Sequence, residues 1–459
     1  MALDWRTVDR WLMGEAWTGS GMDQHLAVLC DQIGPRWSSS SAERKTVEYI
    51  HAQLVASGVD HTALEEYSLQ TWHYARAEAH LPAEEQRIDI LPFLRCPPCR
   101  VDGALVDVGF GSHHEIATVQ GVLPGAVAII NLGLEPFTAP VPLPYRLQAL
   151  AEAGAAAAVA VDRKEGGRKE YHSASDWRYP GLDEHPLPTV TVSREDGALL
   201  RRRAKALQRL TITVESNFTA LPSWNVAAEL RGEHWPEEHL LLGGHHDTVF
   251  GAPGGNDNTS GVMVVLETAR VLAQLRAATG VGPGRTIRFV TFSAEEQKLQ
   301  GATAYVQRHY GPEAPPRLAI NLDELATGPI KGLVLAFPHL RKLVQQQFAE
   351  MGDGLHCHVM AQLDPSSDHF PFLRAGIDAA HLWRWRFVGR RPDSDFHHEP
   401  GDTMDKVNLR ELKEYAGQLA RLLLRLSHVP PEAWPANPVT QEEVRLRLEA
   451  ERGQVIRVF

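Results

Sequence analysis

Apolar positions in the second half of this chain form compact runs that alternate with helical patterns. The runs that predict strands cover residues 240–244, 286–292, 318–322 and 379–383. Between the first two runs, apolar residues repeat at helical spacing over 262–273. This alternation predicts an α/β fold, with a mainly parallel mixed sheet sandwiched by helices. In such a fold, functional residues are expected at the carboxyl ends of the strands.

Shorter elements are predicted in the first half of the chain. A helical stripe over 42–59 ends at Gly58, which is typical of a helix C-terminus. After a proline-rich break near 92–98, apolar runs predict a helix at 145–153 and strands at 105–110, 126–132, 155–161 and 188–192. The charged run 162–170 predicts a solvated loop.

Two further helices are predicted near the C-terminus. A helical stripe over 409–426 is expected to close the main domain, and a short charged helix is expected near 442–451 after several prolines. This tail is expected either to cover an edge of the domain or to mediate self-association. The second alternative implies a homo-oligomer.

Composition excludes several classes of partner. The chain has 459 residues, 43% of them hydrophobic and 22% charged, as in ordinary globular proteins, and its length predicts two or three domains. A net charge of -11 argues against a nucleic-acid partner. The N-terminus has no apolar signal segment, and the longest small-apolar run, 153–161, is too short to cross a bilayer. We therefore expect a soluble, cytoplasmic protein without a membrane partner.

The cysteines do not indicate a disulfide scaffold, because only four occur in the whole chain. Cys96 and Cys99 have the spacing of a zinc half-site or a redox pair, but no second pair completes the motif. We interpret them as two thiols in a proline-rich linker.

Candidate chemistry is concentrated where the predicted strands end. Five groups suit a pair of divalent ions that share one carboxylate: His245, Asp257, Glu296, Asp323 and His398. Burying these charges would be costly unless a cation compensated them. Two adjacent metal ions are typical of hydrolytic enzymes.

Taken one at a time, these residues also have structural explanations. His245 and Asp247 could cap a turn, and Asp257 could cap the following helix. The adjacent Glu295 and Glu296 could lie at a helix N-terminus, where the helix dipole favours acidic residues, and Asp323 could belong to a solvated acidic loop.

The order and spacing of the stretches that contain these residues resemble the di-zinc exopeptidase family, which includes bacterial aminopeptidases and plasma glutamate carboxypeptidase. The stretches are Gly-Gly-His-His-Asp at 243–247, Gly-Gly-Asn-Asp-Asn-Thr-Ser-Gly at 254–261, Ala-Glu-Glu at 294–296, Asn-Leu-Asp-Glu at 321–324 and His-His-Glu-Pro-Gly-Asp-Thr-Met at 397–404. The last stretch is most similar to the glutamate carboxypeptidase branch. The resemblance implies a zinc-exopeptidase fold and covers most of the chain.

The resemblance also implies a role for each residue of the site. Zinc is the expected metal, and the implied ligands of two ions are His245, Asp257, Glu296, Asp323 and His398. His398 is chosen over His397 because the family motif places this ligand four residues before Asp402. Asp257 would bridge the ions, with His245 and Asp323 on one of them and Glu296 and His398 on the other. Glu295 is the implied general base, and Asp247 would orient the ligands. Many relatives have Tyr at the position of His397, so we hypothesise that this imidazole donates a hydrogen bond to the oxyanion.

A second resemblance concerns the middle of the chain. The patterns at 121–130 and 154–159 are similar to the protease-associated domain that is inserted in many of these peptidases, where it forms a lid beside the active site. The expected organisation is therefore an N-terminal segment of the catalytic domain at 1–95, a β-rich protease-associated-like insert at 96–218, a di-metal catalytic domain at 219–428 and a tail at 429–459.

The expected reaction is hydrolysis of a peptide bond near one terminus of a peptide or dipeptide. An aminopeptidase is favoured, and a carboxypeptidase or dipeptidase is the alternative. Aromatic and arginine residues at 381–386, with Arg390 and Arg391, could clamp a substrate carboxylate or simply pack beneath the site. Asp368 and His369 are further candidates for the pocket lining. A glutaminyl cyclase or an inactive binding domain is disfavoured, because the whole ligand set and the base are present.

Overall fold

The computed structural model describes residues 3–133, 135–179, 181–182, 185–326, 328–384, 395–436 and 438–454. The arginine-rich segment 385–391 that was considered for carboxylate binding lies outside the described residues, as do the side chains of Trp383 and Arg384.

Each α-helix that the sequence pattern predicts is present, and the described residues form further helices that it did not predict. The predicted helices at 42–59, 145–153, 262–273, 409–426 and 442–451 correspond to α3, α5, α7, α11 and α12 of the following set. The helices are α1 Trp5–Thr18, α2 Met22–Leu26, α3 Ser41–Ser57, α4 His113–Val119, α5 Leu143–Glu152, α6 Arg194–Ala204, α7 Ser260–Thr279, α8 Gln300–His309, α9 Arg341–Met351, α10 His369–Arg374, α11 Leu409–Ser427 and α12 Gln441–Glu451.

The predicted strands are also present, whereas β1, β2, β3, β8, β12 and β13 of the following set were not predicted. The strands are β1 His61–Leu81, β2 Gln86–Ile88, β3 Ile90–Pro92, β4 Cys99–Asp107, β5 Val127–Asn131, β6 Ala157–Val161, β7 Thr189–Val192, β8 Arg209–Leu230, β9 Trp235–His245, β10 Arg285–Phe292, β11 Ala319–Asn321, β12 Ile330–Leu335, β13 His356–Val359 and β14 Ala379–Arg384.

Within the described residues, the strands join in one 14-stranded mixed sheet. Its main path runs β13-β12-β14-β11-β9-β10-β8-β4-β5-β6-β7-β3. Strand β9 pairs in parallel with β10 and β11, and β11 pairs in parallel with β14. The predicted α/β class is therefore confirmed, and the carboxyl ends of β9, β10 and β11 meet at one edge.

The catalytic half of the sheet is covered by helices because its strands are apolar on both faces. One hydrophobic core contains buried residues of α1, α3, α7 and α11 together with those of β9 and β10. A second core on the catalytic half contains residues of α8, α10 and α12, among them Phe372 and Leu448. The tail therefore packs its last helix against the catalytic domain.

Two long antiparallel strands, β1 and β8, connect the catalytic sheet to the middle of the chain. Their register extends from His61 opposite Glu229 to His80 opposite Thr211. Beyond them, β4, β5, β6 and β7 pair in parallel around a separate hydrophobic core. Trp72 and Phe93 belong to this core although they precede residue 96, because the far end of β1 supports the insert.

The charged run after β6 is not the solvated loop that its composition predicts. Gly166 and Gly167 are exposed, but Asp162, Lys164 and Glu170 are buried. The prediction is wrong for these three residues. Lys164 pairs with Glu170 and with Glu399, and the carboxylate of Asp162 accepts hydrogen bonds from the backbone N–H groups of Lys164 and Glu170. A pattern of charges in the sequence does not show such long-range pairing.

Two smaller observations concern the cysteines and the membrane. All four cysteines are free, with Cys96 buried and Cys99 partly buried, and they form no described disulfide. Among the residues that the structure describes, no helix combines the length and the apolar character needed to cross a membrane.

Candidate active site

The end of β9 places the first candidate ligand. His245 is the last residue of this strand and is buried. The preceding Gly244 leaves no room for a side chain, because a Cβ there would lie 2.4 Å from the carbonyl oxygen of Leu322. This close approach of β9 to the end of β11 brings Asp323 to His245.

His245 forms one group of three side chains with Asp257 and Asp323. Its Nε2 lies 3.1 Å from Oδ1 of Asp257 and 3.3 Å from Oδ1 of Asp323. On the other side of the ring, Nδ1 lies 3.1 Å from the carbonyl oxygen of Asp247. An Nδ1–H donated to that carbonyl leaves the Nε2 lone pair directed at the two carboxylates, which is the orientation that a metal ligand requires.

A second group shares Asp257 with the first. The Nε2 of His398 lies 3.0 Å from Oε2 of Glu296 and 3.4 Å from Oδ2 of Asp257. The two oxygens of Asp257 therefore face different imidazoles. A carboxylate in this position can bridge two cations.

The donor set fits a zinc-type metal. Imidazole nitrogens and carboxylate oxygens are usual Zn²⁺ ligands. The buried Oε1 of Glu296 has no hydrogen-bond partner among the described residues. A buried carboxylate oxygen without a donor is costly, and a cation would satisfy it.

The backbone around Asp257 is held by Asp402, which is buried. Its two carboxylate oxygens accept hydrogen bonds from the backbone N–H groups of Asn256 at 2.8 Å and Asp257 at 2.9 Å. The motif spacing in the sequence used Asp402 only to locate His398. The structure shows that it also fixes the turn that carries Asp257.

Glu295 and Asp247 form a connected pair next to the ligands. The backbone N–H of Glu295 donates to Oδ1 of Asp247 at 3.1 Å, and the hydroxyl of Ser38 donates to Oδ2 at 2.7 Å. Burial raises the pKa of the Glu295 carboxyl well above its ordinary value, and the neighbouring charge of Glu296 adds to the effect. This environment favours a carboxylate that takes up a proton readily.

His397 lies on the opposite face of Asp257 from His245. Its ring stacks on that of His398, with 3.6 Å between the ring centroids. Its Nδ1 lies 3.2 Å from Oδ2 of Asp257 and 3.3 Å from Oε1 of Glu324. Burial lowers the pKa of His397, but Glu324 and Asp257 outweigh this effect and raise it to about 10. His397 is therefore suited to donate hydrogen bonds.

Glu324 is a buried part of the site. In the sequence, Glu324 departs from the small or apolar residue that the resembling family often has after the proposed ligand Asp323, and it could form an additional acidic wall or be solvated. Its side chain is buried and accepts a hydrogen bond from Nδ2 of Asn256 at 3.2 Å. The acidic-wall interpretation is therefore correct.

The loop over residues 162–172, which we call the clamp loop, holds the segment that carries His398. Nδ1 of His398 donates to the carbonyl oxygen of Tyr171 at 2.8 Å, and the backbone N–H of Tyr171 donates to the carbonyl oxygen of His398 at 3.2 Å. The ammonium of Lys164 pairs with Glu170 and Glu399. Nothing in the sequence pattern indicated these positioning residues.

A cavity of about 460 Å³ opens over the two groups. Its floor contains Asp257, Glu295 and Asp323 from the catalytic domain, and its opposite wall contains Leu143 and Trp177 from the insert. The cavity thus lies between an acidic floor and a partly apolar wall, which is the usual form of a small-molecule or peptide site.

The Ser-Asp-His string at 367–369 contributes buried polar groups beneath the cavity. Asp368 is fully buried, and neither of its carboxylate oxygens has a described hydrogen-bond partner. Burial raises the pKa of its carboxyl well above the ordinary value. His369 is also buried, so neither residue lies in the cavity lining where the sequence suggested it.

Comparison with known proteins gives consistent matches. Residues 225–423 match the family described as Peptidase family M28. Carboxypeptidase Q of Mus musculus is 24% identical over 404 residues, covering 85% of this chain and 82% of that protein. Aminopeptidase YwaD of Bacillus subtilis (strain 168) is 26% identical over 410 residues, covering 86% and 81%. A solved zinc aminopeptidase from Bacillus subtilis shares the fold, with a TM-score of 0.70 at 21% identity over 94% of this chain and 98% of that chain.

Proposed function

The chain carries a peptidase family M28 domain over residues 225–423, and from this premise we propose that it is a di-zinc exopeptidase. The proposed ligands are His245, Asp257, Glu296, Asp323 and His398. The observation that carries the proposal is the position of Asp257, whose two oxygens lie 3.1 Å and 3.4 Å from the Nε2 atoms of different histidines.

The residues around the cavity support a hydrolytic reaction. When bound, two Zn²⁺ ions would polarise the scissile carbonyl and lower the pKa of a water molecule. Glu295 accepts the proton of the attacking water and passes it to the leaving amine. Asp247 holds the backbone of Glu295 and the ring of His245 in place. His397 donates a hydrogen bond to the developing oxyanion.

The charge of the cavity favours an aminopeptidase. Of the acidic residues that line it, Glu324 is not a proposed metal ligand, and its carboxylate attracts the positively charged amino terminus of a peptide. Among the described lining residues, the guanidinium of Arg178 is already paired with Asp176, at 2.8 Å. A substrate carboxylate would therefore have to compete with Asp176 for this arginine.

A carboxypeptidase or dipeptidase is the second candidate. The similarity to carboxypeptidase Q over 85% of the chain supports it. A panel of aminoacyl, dipeptide and N-acyl-peptide substrates separates the two, because blocking the amino terminus abolishes aminopeptidase cleavage and leaves carboxypeptidase cleavage intact. We expect cleavage only of substrates with a free amino terminus.

We also propose that the insert between β1 and β8 is a protease-associated-like lid. Its residues Leu143 and Trp177 face the acidic floor across the cavity. Replacing Trp177 by Ala should raise KM for peptide substrates more than it lowers kcat, because the side chain contacts substrate and not the reacting bond. An unchanged KM would show that the insert does not cover bound peptide.

The central test of the proposed mechanism is Glu295→Gln. The variant should keep its metal content and lose about 10² to 10⁴ in kcat, because the amide cannot accept the proton. Metal analysis and peptide hydrolysis are measured on the same preparation. Glu48→Gln, on the surface of α3, serves as the matched control. Full activity of Glu295→Gln would exclude this residue as the base.

A further inference from the structure

A second cluster of metal-type side chains lies beside the candidate active site. It consists of Asp364 in the loop after β13, His369 at the start of α10 and His381 in β14. One ligand atom from each residue lies within 4.8 Å of the other two. His381 is paired in register with Asn321 of β11, which places the cluster on the same side of the sheet as Asp323.

His369 is the member of the cluster that most needs a ligand. Its side chain is buried, with a relative exposure of 1%, and neither Nδ1 nor Nε2 has a hydrogen-bond partner among the described residues. A buried polar atom without a partner costs about 1–3 kcal/mol.

Asp364 supplies the negative charge of the cluster. One of its oxygens, Oδ1, accepts a hydrogen bond from the backbone N–H of Ser366 at 2.9 Å, which fixes the carboxylate in the loop. Asp364 also lines the cavity over Glu295 and Asp323, so the cluster borders the proposed active site without sharing a ligand with it.

We propose that Asp364, His369 and His381 bind a further divalent cation of the zinc type. Two imidazoles and one carboxylate form a usual Zn²⁺ ligand set, with a fourth position open to water. Zinc bonds of about 2.0–2.2 Å place tetrahedral ligand atoms about 3.4 Å apart. The ligand atoms already lie within 4.8 Å of one another, so a small adjustment of the side chains would form such a site.

A hydrogen-bonded relay without a metal is the competing explanation. In a relay, a ring nitrogen of His369 would bond to Asp364 or to His381. No such bond is present for either nitrogen of His369. The centroids of the His369 and His381 rings lie 5.0 Å apart, and the two ring planes are inclined by 33° to each other.

The bound ion would join three segments of the pocket wall. The loop 360–368, helix α10 and strand β14 follow one another along the chain, and α10 packs against β14. Because Asp364, Pro365 and Ser366 line the cavity, fixing their loop also fixes the cavity wall.

The test is a count of metal ions in the full-length chain. The protein is stripped with a chelator, loaded with Zn²⁺, freed of unbound metal and analysed by elemental mass spectrometry. Asp364→Asn and His369→Ala should each contain one equivalent less than wild type. His356→Ala, an exposed histidine of β13, serves as the matched control and should lose none. Equal zinc content in wild type and Asp364→Asn would overturn the proposal.

Anomalous scattering at the zinc edge from crystals of the wild-type protein gives a second measurement that does not depend on a variant's folding. A peak between Asp364, His369 and His381 is expected, and a zinc-loaded crystal without one would overturn the proposal. Glu296→Ala separates this site from the proposed di-zinc pair. If Glu296→Ala loses zinc from the pair and keeps the ion near Asp364, the two sites are independent and both proposals stand. If zinc-loaded wild type holds only the ion near Asp364, the further site stands and the di-zinc proposal fails.

Discussion

Asp257 is the residue on which the geometry of the candidate site depends most. Its carboxylate lies between His245 and His398, and its backbone is held by Asp402. One oxygen faces His245 and the other faces His398, so a shift of this one side chain would disturb the geometry of both ligand groups. Residues beside its carboxylate, such as His245 and His398, are candidate ligands, whereas Asp402 holds its backbone in position.

His397 and His398 are adjacent in sequence and differ in their contacts. His398 donates from Nδ1 to the carbonyl of Tyr171, which leaves Nε2 for a metal. His397 instead contacts Glu324 and Asp257 through Nδ1. This difference supports the proposal that His398 is the ligand and His397 the oxyanion donor.

His397→Ala is expected to keep the zinc content of wild type and to lower kcat by about 10²-fold, as for the loss of one oxyanion donor. Steady-state kinetics and metal analysis on the same sample measure the two effects separately. The adjacent variant His398→Ala is the comparison and should lose one equivalent of zinc. Loss of zinc from His397→Ala would exchange the roles of the two histidines.

At the scale of elements, the clamp loop shows how the insert supports the catalytic domain. Lys164 is almost fully buried, and its charge is balanced by Glu170 and Glu399. Arg168 also pairs with Glu399, at 2.8 Å, next to the proposed ligand His398. Residues that hold a ligand in this way commonly affect metal affinity.

Lys164→Met removes the charge that joins the clamp loop to Glu399 and keeps much of the side-chain volume. We expect a 10- to 100-fold weaker affinity for one zinc equivalent, in line with the loss of other supporting contacts around metal ligands. Competition with a chromophoric chelator measures this affinity. The exposed Lys205→Met is the control. Equal affinities would mean that the clamp loop does not position His398.

Another contact between elements is sensitive to pH. His309, at the end of α8, lies 2.9 Å from Glu65 of β1 and 2.9 Å from Glu313. Its hydrogen bond to Glu65 raises the pKa of His309 above the usual value near 6.5, although burial opposes the effect. Because the folded-state pKa is raised, the stabilisation is present below pH 6.5 and is lost as the pH rises through the folded-state pKa.

His309→Gln should therefore lower the free energy of unfolding by about 1 kcal/mol at pH 6 and by much less at pH 10. Chemical denaturation of the variant and of wild type at both pH values provides the comparison. His61→Gln, at the exposed start of β1, should show no such difference. A destabilisation that does not change with pH would mean that packing, and not the charge of His309, is responsible.

At the scale of the whole molecule, the site concentrates acidic groups in a buried region between two hydrophobic cores. Asp257, Glu295 and Glu296 are all at most 6% exposed. Their mutual repulsion opposes folding unless cations compensate it. The proposed metals therefore contribute to stability as well as to catalysis.

Removal of metal is expected to lower the melting temperature by several degrees, because a ligand present at 1,000 times its Kd stabilises the folded state by about 4 kcal/mol. Thermal unfolding is measured after chelation and again after Zn²⁺ is restored. Mg²⁺ should restore much less, because imidazole ligands suit zinc better. An unchanged melting temperature in protein shown to be metal-free would contradict the proposed contribution.

Most of the fold and of the candidate site could be predicted from local sequence. The apolar run 240–244 predicts the strand that ends at His245, and the stripe at 262–273 predicts α7. The spacing between His398 and Asp402 selected one histidine of a pair. These features depend on periodicity and on short motifs, which neighbouring residues determine.

The remaining features depend on contacts between distant residues. The charged run 162–170 was expected to be solvated, but Lys164 and Glu170 are buried against Glu399, more than 200 residues away in the chain. Trp72 joins the core of the insert because β1 continues past the catalytic sheet. Asp364, His369 and His381 become neighbours only when a loop, a helix and a strand pack together.

The sequence by itself determined the α/β class, the order of the elements and the residues that end its central strands with metal-type side chains. Only the tertiary structure decided which carboxylate faces which imidazole, and which charges of the insert are buried against the site. The physical reason is that periodicity and turn chemistry act over a few residues. The pairing of buried charges depends instead on which surfaces the packed sheet brings within a few ångströms of each other.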